Sequence, residues 1–199
     1  GLFKRELRPL SRVEGLWWPI FWNVERPNLR DIRIREALWL LYDFTWTNRV
    51  LFYDFYDTGV SFFQNSPMAH TGLPGKDELE LLEPWRDQVP ARVFTEEFRQ
   101  PESSGFGLQR KNVRRALALF KEVGWEIQDG VMRNIETGEP FTLDFIGVSY
   151  YSTRQALSLT TSLNRIGIAT TAIAPEISNW LYRSRTGKFD GNTIRYGPS

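Results

Sequence analysis

The chain of 199 residues has no cysteine and a single histidine, His70. The first absence excludes a disulfide framework, a thiolate-ligated zinc or iron–sulfur site and a thiol nucleophile. The second confines any imidazole catalysis or His-ligated metal to one residue. Neither sign of charge is in excess, with 25 Lys+Arg against 24 Asp+Glu. Nucleic acid and anionic membranes are therefore not expected as main partners, because both are held by a cationic surplus. Mean hydropathy is −0.39, and no stretch approaches the roughly 18 apolar residues of a membrane span. These counts predict a globular chain with no direct membrane insertion, long enough to bury about 70% of the surface its unfolded form exposes.

Aromatic residues are what the chain has in plenty: 8 Trp, 7 Tyr and 14 Phe make up 15% of it. Such side chains fill cores, since each buries a large area. Trp and Tyr also give contact area to flat or extended ligands at low entropic cost. Composition leaves both readings open.

Periodicity divides the chain into elements. The aromatic run at 16–24, LWWPIFWNV, is interrupted by Pro19 and suits an edge or bent strand. Ile34, Ala37, Leu38, Leu41 and Phe44 recur at helical spacing, with Arg33, Arg35, Glu36 and Asp43 free to face water. TWTNRVLFYDFY predicts a second helical segment, and DTGVSFFQNSPMAHTGLPG a long irregular excursion. KDELELLEP predicts a short acidic helix ended by Pro84, followed by extended loop with another turn or two to about residue 108. Val113, Ala116, Leu117 and Phe120 form the next helical stripe, closed by Gly124 as a left-handed cap. WEIQ and VMRN flank Asp129-Gly130, a favoured type I′ hairpin pair. Phe141, Leu143 and Phe145 then alternate with Thr142 and Asp144 as a strand. A helix from about Ser152 to Arg165, the strand IGIATTAIA, the helix SNWLYRSR and the strand KFDGNTIRY complete the chain. Strand, helix, strand, helix, strand at this spacing predicts βαβ units on a largely parallel sheet, so the fold class is α/β with a loop-rich insertion.

Little in the sequence points to bond-making chemistry. His70, in SPMAHTGLPG, has no local orienting carboxylate or nucleophile and reads as a solvated or loop-packing residue. Serine-hydrolase elbows, SxxK and the glycine-rich nucleotide motifs are missing. Asp54, Asp57, Glu96, Glu97 and Asp144 supply carboxylates for a glycan-active site, against the plainer reading of solvated acids among 24. Arg183, Arg185 and Lys188 cluster near the last strand, either as cations complementing a helix terminus or as partners for a ligand carboxylate. No catalytic residue, metal or cofactor is expected, and the chain is not expected to be an enzyme. It opens GLFKRELRPL and stops at YGPS after a predicted strand, so both ends read as those of an excised domain or proteolytic fragment.

Longer motifs carry a resemblance. Asn23, Arg26, Pro27, Asp31, Arg33, Arg35, Glu36, Ala37 and Leu38 form a strand ending in Asn, then Arg-Pro, then Asp-x-Arg-x-Arg-Glu-Ala-Leu opening a helix. Trp46 to Asn48, Leu51-Phe52-Tyr53, Ser61 with Phe63, Asn65-Ser66, Gly72-Leu73-Pro74 and Leu82-Glu83-Pro84 follow in order. Arg110-Lys111-Asn112, Gly124-Trp125, Thr137-Gly138, Gly167-Ile168 and Phe189-Asp190 continue the pattern. Collinear over essentially the whole chain, it resembles the family 5 extracellular solute-binding proteins of ABC importers, and within them the YejA-like branch of dipeptide and oligopeptide binders. Departures fall at Asp57-Thr58-Gly59 and from Gly191 to Ser199.

The resemblance implies one lobe of a two-lobe periplasmic-binding-protein type II fold, with a mixed sheet flanked by helices. Residues 1–199 would be a single lobe, the second and C-terminal ligand-binding lobe of a larger exported, periplasmic protein. It further implies a monomer that closes on a peptide or other small solute and delivers it to a membrane permease. Expected ligand contacts are Trp18, Trp22 and Asn23 at the first strand, Trp180, Arg183 and Arg185 on the short helix, and Arg195 and Tyr196 at the last strand. Core packing is the competing reading for Trp18 and Trp22, while Arg33 and Arg35 are assigned to structure. The rival functions are a carbohydrate-binding or glycan-active protein, and a solute-binding protein for a non-peptide ligand.

Overall fold

The computed structural model describes residues 19–69 and 71–194. Trp18, His70, Arg195 and Tyr196 lie outside the described residues, and the expectations placed on them with them. In chain order the elements are β1 (Ile20–Trp22), α1 (Pro27–Arg30), α2 (Ile32–Leu40), α3 (Phe44–Phe52), α4 (Lys76–Leu82), α5 (Arg92–Thr95) and α6 (Arg110–Glu122). There follow β2 (Trp125–Gln128), β3 (Val131–Asn134), β4 (Thr142–Gly147), α7 (Tyr150–Asn164), β5 (Ala169–Ile173), α8 (Ile177–Arg185) and β6 (Gly191–Thr193). They fall into two compact units, one of residues 59–98 and one of residues 19–58 with 99–194.

The larger unit is built on a mixed four-stranded sheet in the order β1-β6-β4-β5. β4 runs parallel to both β5 and β6, and β1 closes the other edge antiparallel to β6. Helices α7 and α8 are the crossovers that parallel neighbours require, so the predicted βαβ units are present and the sheet is mixed. Leu143 and Phe145 of β4 point to one face, where Ala156, Leu159 and Leu163 of α7 join Ile34, Ala37 and Leu38 of α2 and Ala116, Leu119 and Phe120 of α6 in one buried cluster. Its aromatic members meet edge to face: Trp125 with Phe141 at 4.7 Å, Phe120 with Phe141 at 5.6 Å, and Trp22 with Phe145 at 5.6 Å between centroids. Burying a side chain of the size of Phe120, Phe141 or Phe145 contributes about 1.5–3 kcal/mol relative to leaving it in water.

Local chemistry sets the helix boundaries. Pro27 opens α1, where a missing N–H costs nothing. The Asp31 carboxylate then caps α2 by accepting from the Arg33 N–H at 2.8 Å and from its guanidinium at 2.7 Å. Arg35 donates to the carbonyls of Leu29 at 2.7 Å and Arg30 at 2.8 Å, closing the free end of α1. The stripe predicted to run on to Phe44 is broken earlier. Asp43 accepts from the Trp46 N–H at 2.9 Å and starts α3, so Phe44 opens a new helix. The hairpin forms as expected on Asp129 and Gly130, at φ 50° and 77°, the left-handed pair a type I′ turn needs.

The smaller unit contains the predicted acidic helix. The Glu78 carboxylate of α4 reaches back to accept the Gly75 N–H at 2.7 Å. Beyond Leu82 the helix tightens into a 3-10 turn through Pro84, where Arg86 pairs with Glu83 at 2.5 Å and lies over the Phe94 ring at 4.0 Å. The segment from Gly59 to Gly75 forms no helix or strand among its described residues, as its Gly, Pro and Ser content predicts.

Candidate functional site

A parallel sheet has two unlike edges, and in open α/β sheets ligands bind outside the carboxyl ends of the strands. The described residues among those predicted from the sequence divide between the amino edge and the interior.

At the amino edge the side chains are committed to one another. Asn23, just past β1, donates from Nδ2 to the carbonyls of Gly187 and Phe189, both at 3.0 Å. Its backbone N–H donates to Asp190 O at 2.8 Å. The Asp190 carboxylate accepts the Asp144 N–H at 2.8 Å and pairs with Arg26 Nε at 3.3 Å. Burial pushes the Asp190 carboxyl above the ordinary carboxylate value, against the pull of the Asp144 N–H and of Arg26. Arg183 donates to the Asp144 carboxylate and from Nε to the Lys188 carbonyl at 2.9 Å. The Thr171 hydroxyl donates to the other Asp144 oxygen at 2.6 Å. Lys188 donates to the Tyr182 hydroxyl at 2.7 Å. This network locks β1, β4, β5 and β6 together. Of the basic cluster, Arg185 and Lys188 are exposed with no ion pair among the described residues, and only Arg183 is paired with a carboxylate.

Two of the predicted aromatics face inward. Trp22 is half-buried against Phe145 and packs on the main cluster. Trp180 is 7% exposed, and its indole N–H donates to Asn192 Oδ1 at 3.2 Å. The Asn192 amide donates in turn to Ser184 Oγ at 3.1 Å. Asn192 is paired with Ile146 in the sheet, so Trp180 fastens α8 to the face opposite the main cluster. An indole held by a buried hydrogen bond offers no ring face to solvent.

The carboxyl edge has the opposite character. β4 ends at Gly147, where an added Cβ would lie 2.6 Å from both Ser152 Oγ and Thr193 Oγ1. Only a glycine admits so close an approach of the α7 start to the strand end. Ser149 then caps α7 in a reciprocal pair, its hydroxyl accepting the Ser152 N–H at 3.3 Å while Ser152 Oγ accepts the Ser149 N–H at 3.0 Å. The next two positions project Tyr150 and Tyr151, 67% and 68% exposed, with ring centroids 6.3 Å apart and planes at 71°. Ile173 ends the neighbouring β5 and is itself exposed. Ala174, Pro175 and Glu176 follow it. Glu176 caps α8, and the hydrogen bonds it accepts from Ser178 hold its carboxyl below the usual range. The edge thus presents two aromatic rings and an aliphatic side chain on a rigid support. Chemically this suits contact with an organic ligand.

Sequence reasoning missed the tyrosine pair. Its signal was Ser149 as a cap directly after a predicted strand, which places Tyr150 and Tyr151 on the first turn of the next helix. Among the described residues no three His, Cys, Asp or Glu side chains gather as a metal site. Of the carboxylates considered for a glycan-active site, Asp144 is engaged by Arg183 and Thr171.

Known proteins resemble the chain over most of its length. Residues 6–199 match the family model described as bacterial extracellular solute-binding proteins, family 5 Middle. The "Probable peptide-binding protein YejA" of Agrobacterium fabrum is 35% identical over 187 residues, 94% of this chain and 30% of that relative. The chain spans about 30% of the length of the curated relatives it matches. Among solved structures, NikA from Brucella suis, in complex with Fe(III)-EDTA, has a TM-score of 0.65 at 15% identity, covering 93% of this chain and 31% of that one. The oligopeptide-binding protein AppA from Bacillus subtilis, in complex with a nonapeptide, has a TM-score of 0.61 at 16% identity, covering 94% of this chain and 32% of that one. The two structural likenesses speak to fold alone, while the sequence matches bear out the motif-based resemblance, including its YejA-like branch. The chain belongs to the family 5 bacterial extracellular solute-binding proteins.

Proposed function

We propose that this chain is one lobe of a larger exported binding protein that takes up peptides in a cleft between lobes and delivers them to the permease of an ABC importer. The observation that carries the reading is the 35% identity, over 94% of the chain, to a relative described as a probable peptide-binding protein. A nonapeptide in a structural neighbour of the same fold is consistent with it. The reading involves binding without turnover, with the periplasm or cell exterior as the place of action and a monomer as the working form.

Within this lobe we assign ligand contact to the carboxyl edge of the sheet. Tyr150 and Tyr151 supply ring faces for peptide side chains, since a Tyr ring gives large contact area at the cost of two torsions. Trp18, Arg195 and Tyr196 are kept as proposed ligand contacts on the strength of the sequence resemblance. Trp22, Asn23, Trp180 and Arg183 act instead by holding the sheet together from its amino edge and interior, and the exposed Arg185 ends α8 toward the amino edge.

The test is titration calorimetry of the longer protein with a tripeptide-to-nonapeptide series. Tyr150→Ala with Tyr151→Ala is expected to weaken binding by about 10-fold, on the order of the loss from a moderate contact residue. Unchanged affinity would remove the edge from the site. A second reading, a metal chelate as ligand, draws on the Fe(III)-EDTA complex of NikA, whose TM-score is 0.65. Binding of a ferric chelate in place of any peptide would favour it.

A further inference from the structure

On the outer side of α6, Leu108, Arg110, Val113 and Arg114 line an open groove of about 410 Å³. Its floor is apolar and preformed, because Leu108 and Val113 are half-buried and packed against the main cluster of the larger unit. Its rim is cationic. Four basic residues occupy six positions here, and their pairing is selective. Lys111 pairs with Glu102 at 3.4 Å and Arg115 with Glu122 at 3.8 Å. Arg110 and Arg114, the two that border the groove, are exposed and have no carboxylate partner among the described residues.

The stability of α6 does not explain that arrangement. A cation in the first turn of a helix opposes its dipole; Glu102 offsets Lys111 there, but neither an acidic residue of that turn nor a side-chain cap offsets Arg110. A local rule broken without internal compensation points to an external partner. An apolar floor between two unpaired guanidiniums is complementary to an apolar side chain flanked by carboxylates, which the planar guanidinium fork binds in a bidentate manner. Two cations on a chain of net charge +1 make a poor footprint for nucleic acid or an anionic membrane.

We propose that this groove is a docking site for an acidic, leucine-type segment of a partner protein, separate from the residues assigned to solute binding. The probe is a fluorescein-labelled peptide repeating Glu-Glu-Leu, with a Lys-Lys-Leu repeat as its control, measured by fluorescence polarisation on the full chain at low and high salt. The acidic peptide is expected to bind, more weakly at high salt, and the basic one not to bind. Arg110→Glu with Arg114→Glu should weaken binding at least ~10-fold, and Arg110→Gln with Arg114→Gln by less, as expected when charges across an interface are reversed or removed. Arg115→Glu should change it by less than ~3-fold. Circular dichroism confirms that each variant keeps its helices; the neutral pair serves if the reversed pair does not.

Three outcomes would overturn the proposal. One is absence of acidic-peptide binding, or binding that survives both double substitutions. Another is concentration-dependent self-association abolished by the same substitutions, which makes a second copy of this chain the occupant. The third is equal capture by vesicles of phosphatidylglycerol, which makes the surface a membrane contact.

Discussion

Asp31 and Asp190 show how one residue type takes opposite roles within a single unit. Asp31 is exposed at a helix start, where the Arg33 side chain holds its carboxyl below the ordinary value of 3.8. Its contribution to stability is present above that value and is lost as pH falls through the lowered one. Asp190 is half-buried, and desolvation raises its carboxyl above the same 3.8 despite the Asp144 N–H and Arg26. Its contribution is therefore greatest below 3.8 and shrinks as pH rises through the raised value. A carboxyl-carbon NMR titration should find Asp31 titrating below 3.8 and Asp190 above it. The reverse order would mean that the amino-edge network is not buried as described. Neither environment was legible in the sequence: the Asp31 motif announced a helix cap, but nothing near Asp190 in the chain foretells Asn23, Arg26 or Asp144, which arrive from 46 or more positions away.

Among the elements, the break between α2 and α3 is the place where sequence pattern and structure part. Apolar spacing alone carries a helix through Leu41 to Phe44, yet Asp43 competes for the backbone and wins. Its Oδ1 accepts from the Trp46 N–H at 2.9 Å and from the Ser103 hydroxyl at 2.5 Å, a partner 60 residues away. Its other oxygen, Oδ2, and the Tyr42 hydroxyl are buried with no hydrogen-bond partner among the described residues. Burial also pushes the Tyr42 hydroxyl far above its ordinary value. Asp43→Ala should cost about 1–2 kcal/mol in urea unfolding through loss of the cap. Asp43→Asn should cost less, because it keeps the capping oxygen and removes a buried charge. An equal loss for both would show that the charge, not the cap, sets the boundary. Elsewhere local signals sufficed. Asp129-Gly130, Gly124 and the alternation of Phe141, Leu143 and Phe145 each fix an element by a short-range rule, and each lies where expected.

At the scale of the molecule, the α/β class and the parallel pairs were readable because crossovers must separate parallel strands, whereas the direction of β1 was not. Its pairing with β6 joins residues more than 160 positions apart. The same distance explains the site. Trp180 and Arg183 look available in the sequence because Asn192 and Asp144 cannot be seen there as their partners, and Tyr150 with Tyr151 gained significance only once β4 was known to end beside them. What the fold supplies is a stiff sheet with a committed amino edge and a carboxyl edge that offers aromatic surface. The central claim, that this surface belongs to a peptide-binding protein, is tested most directly by native mass spectrometry of the longer protein purified without added ligand. Co-purifying masses that fragment as short peptides and are lost on partial unfolding are expected; a homogeneous sugar or metal chelate in their place would contradict a peptide-binding role.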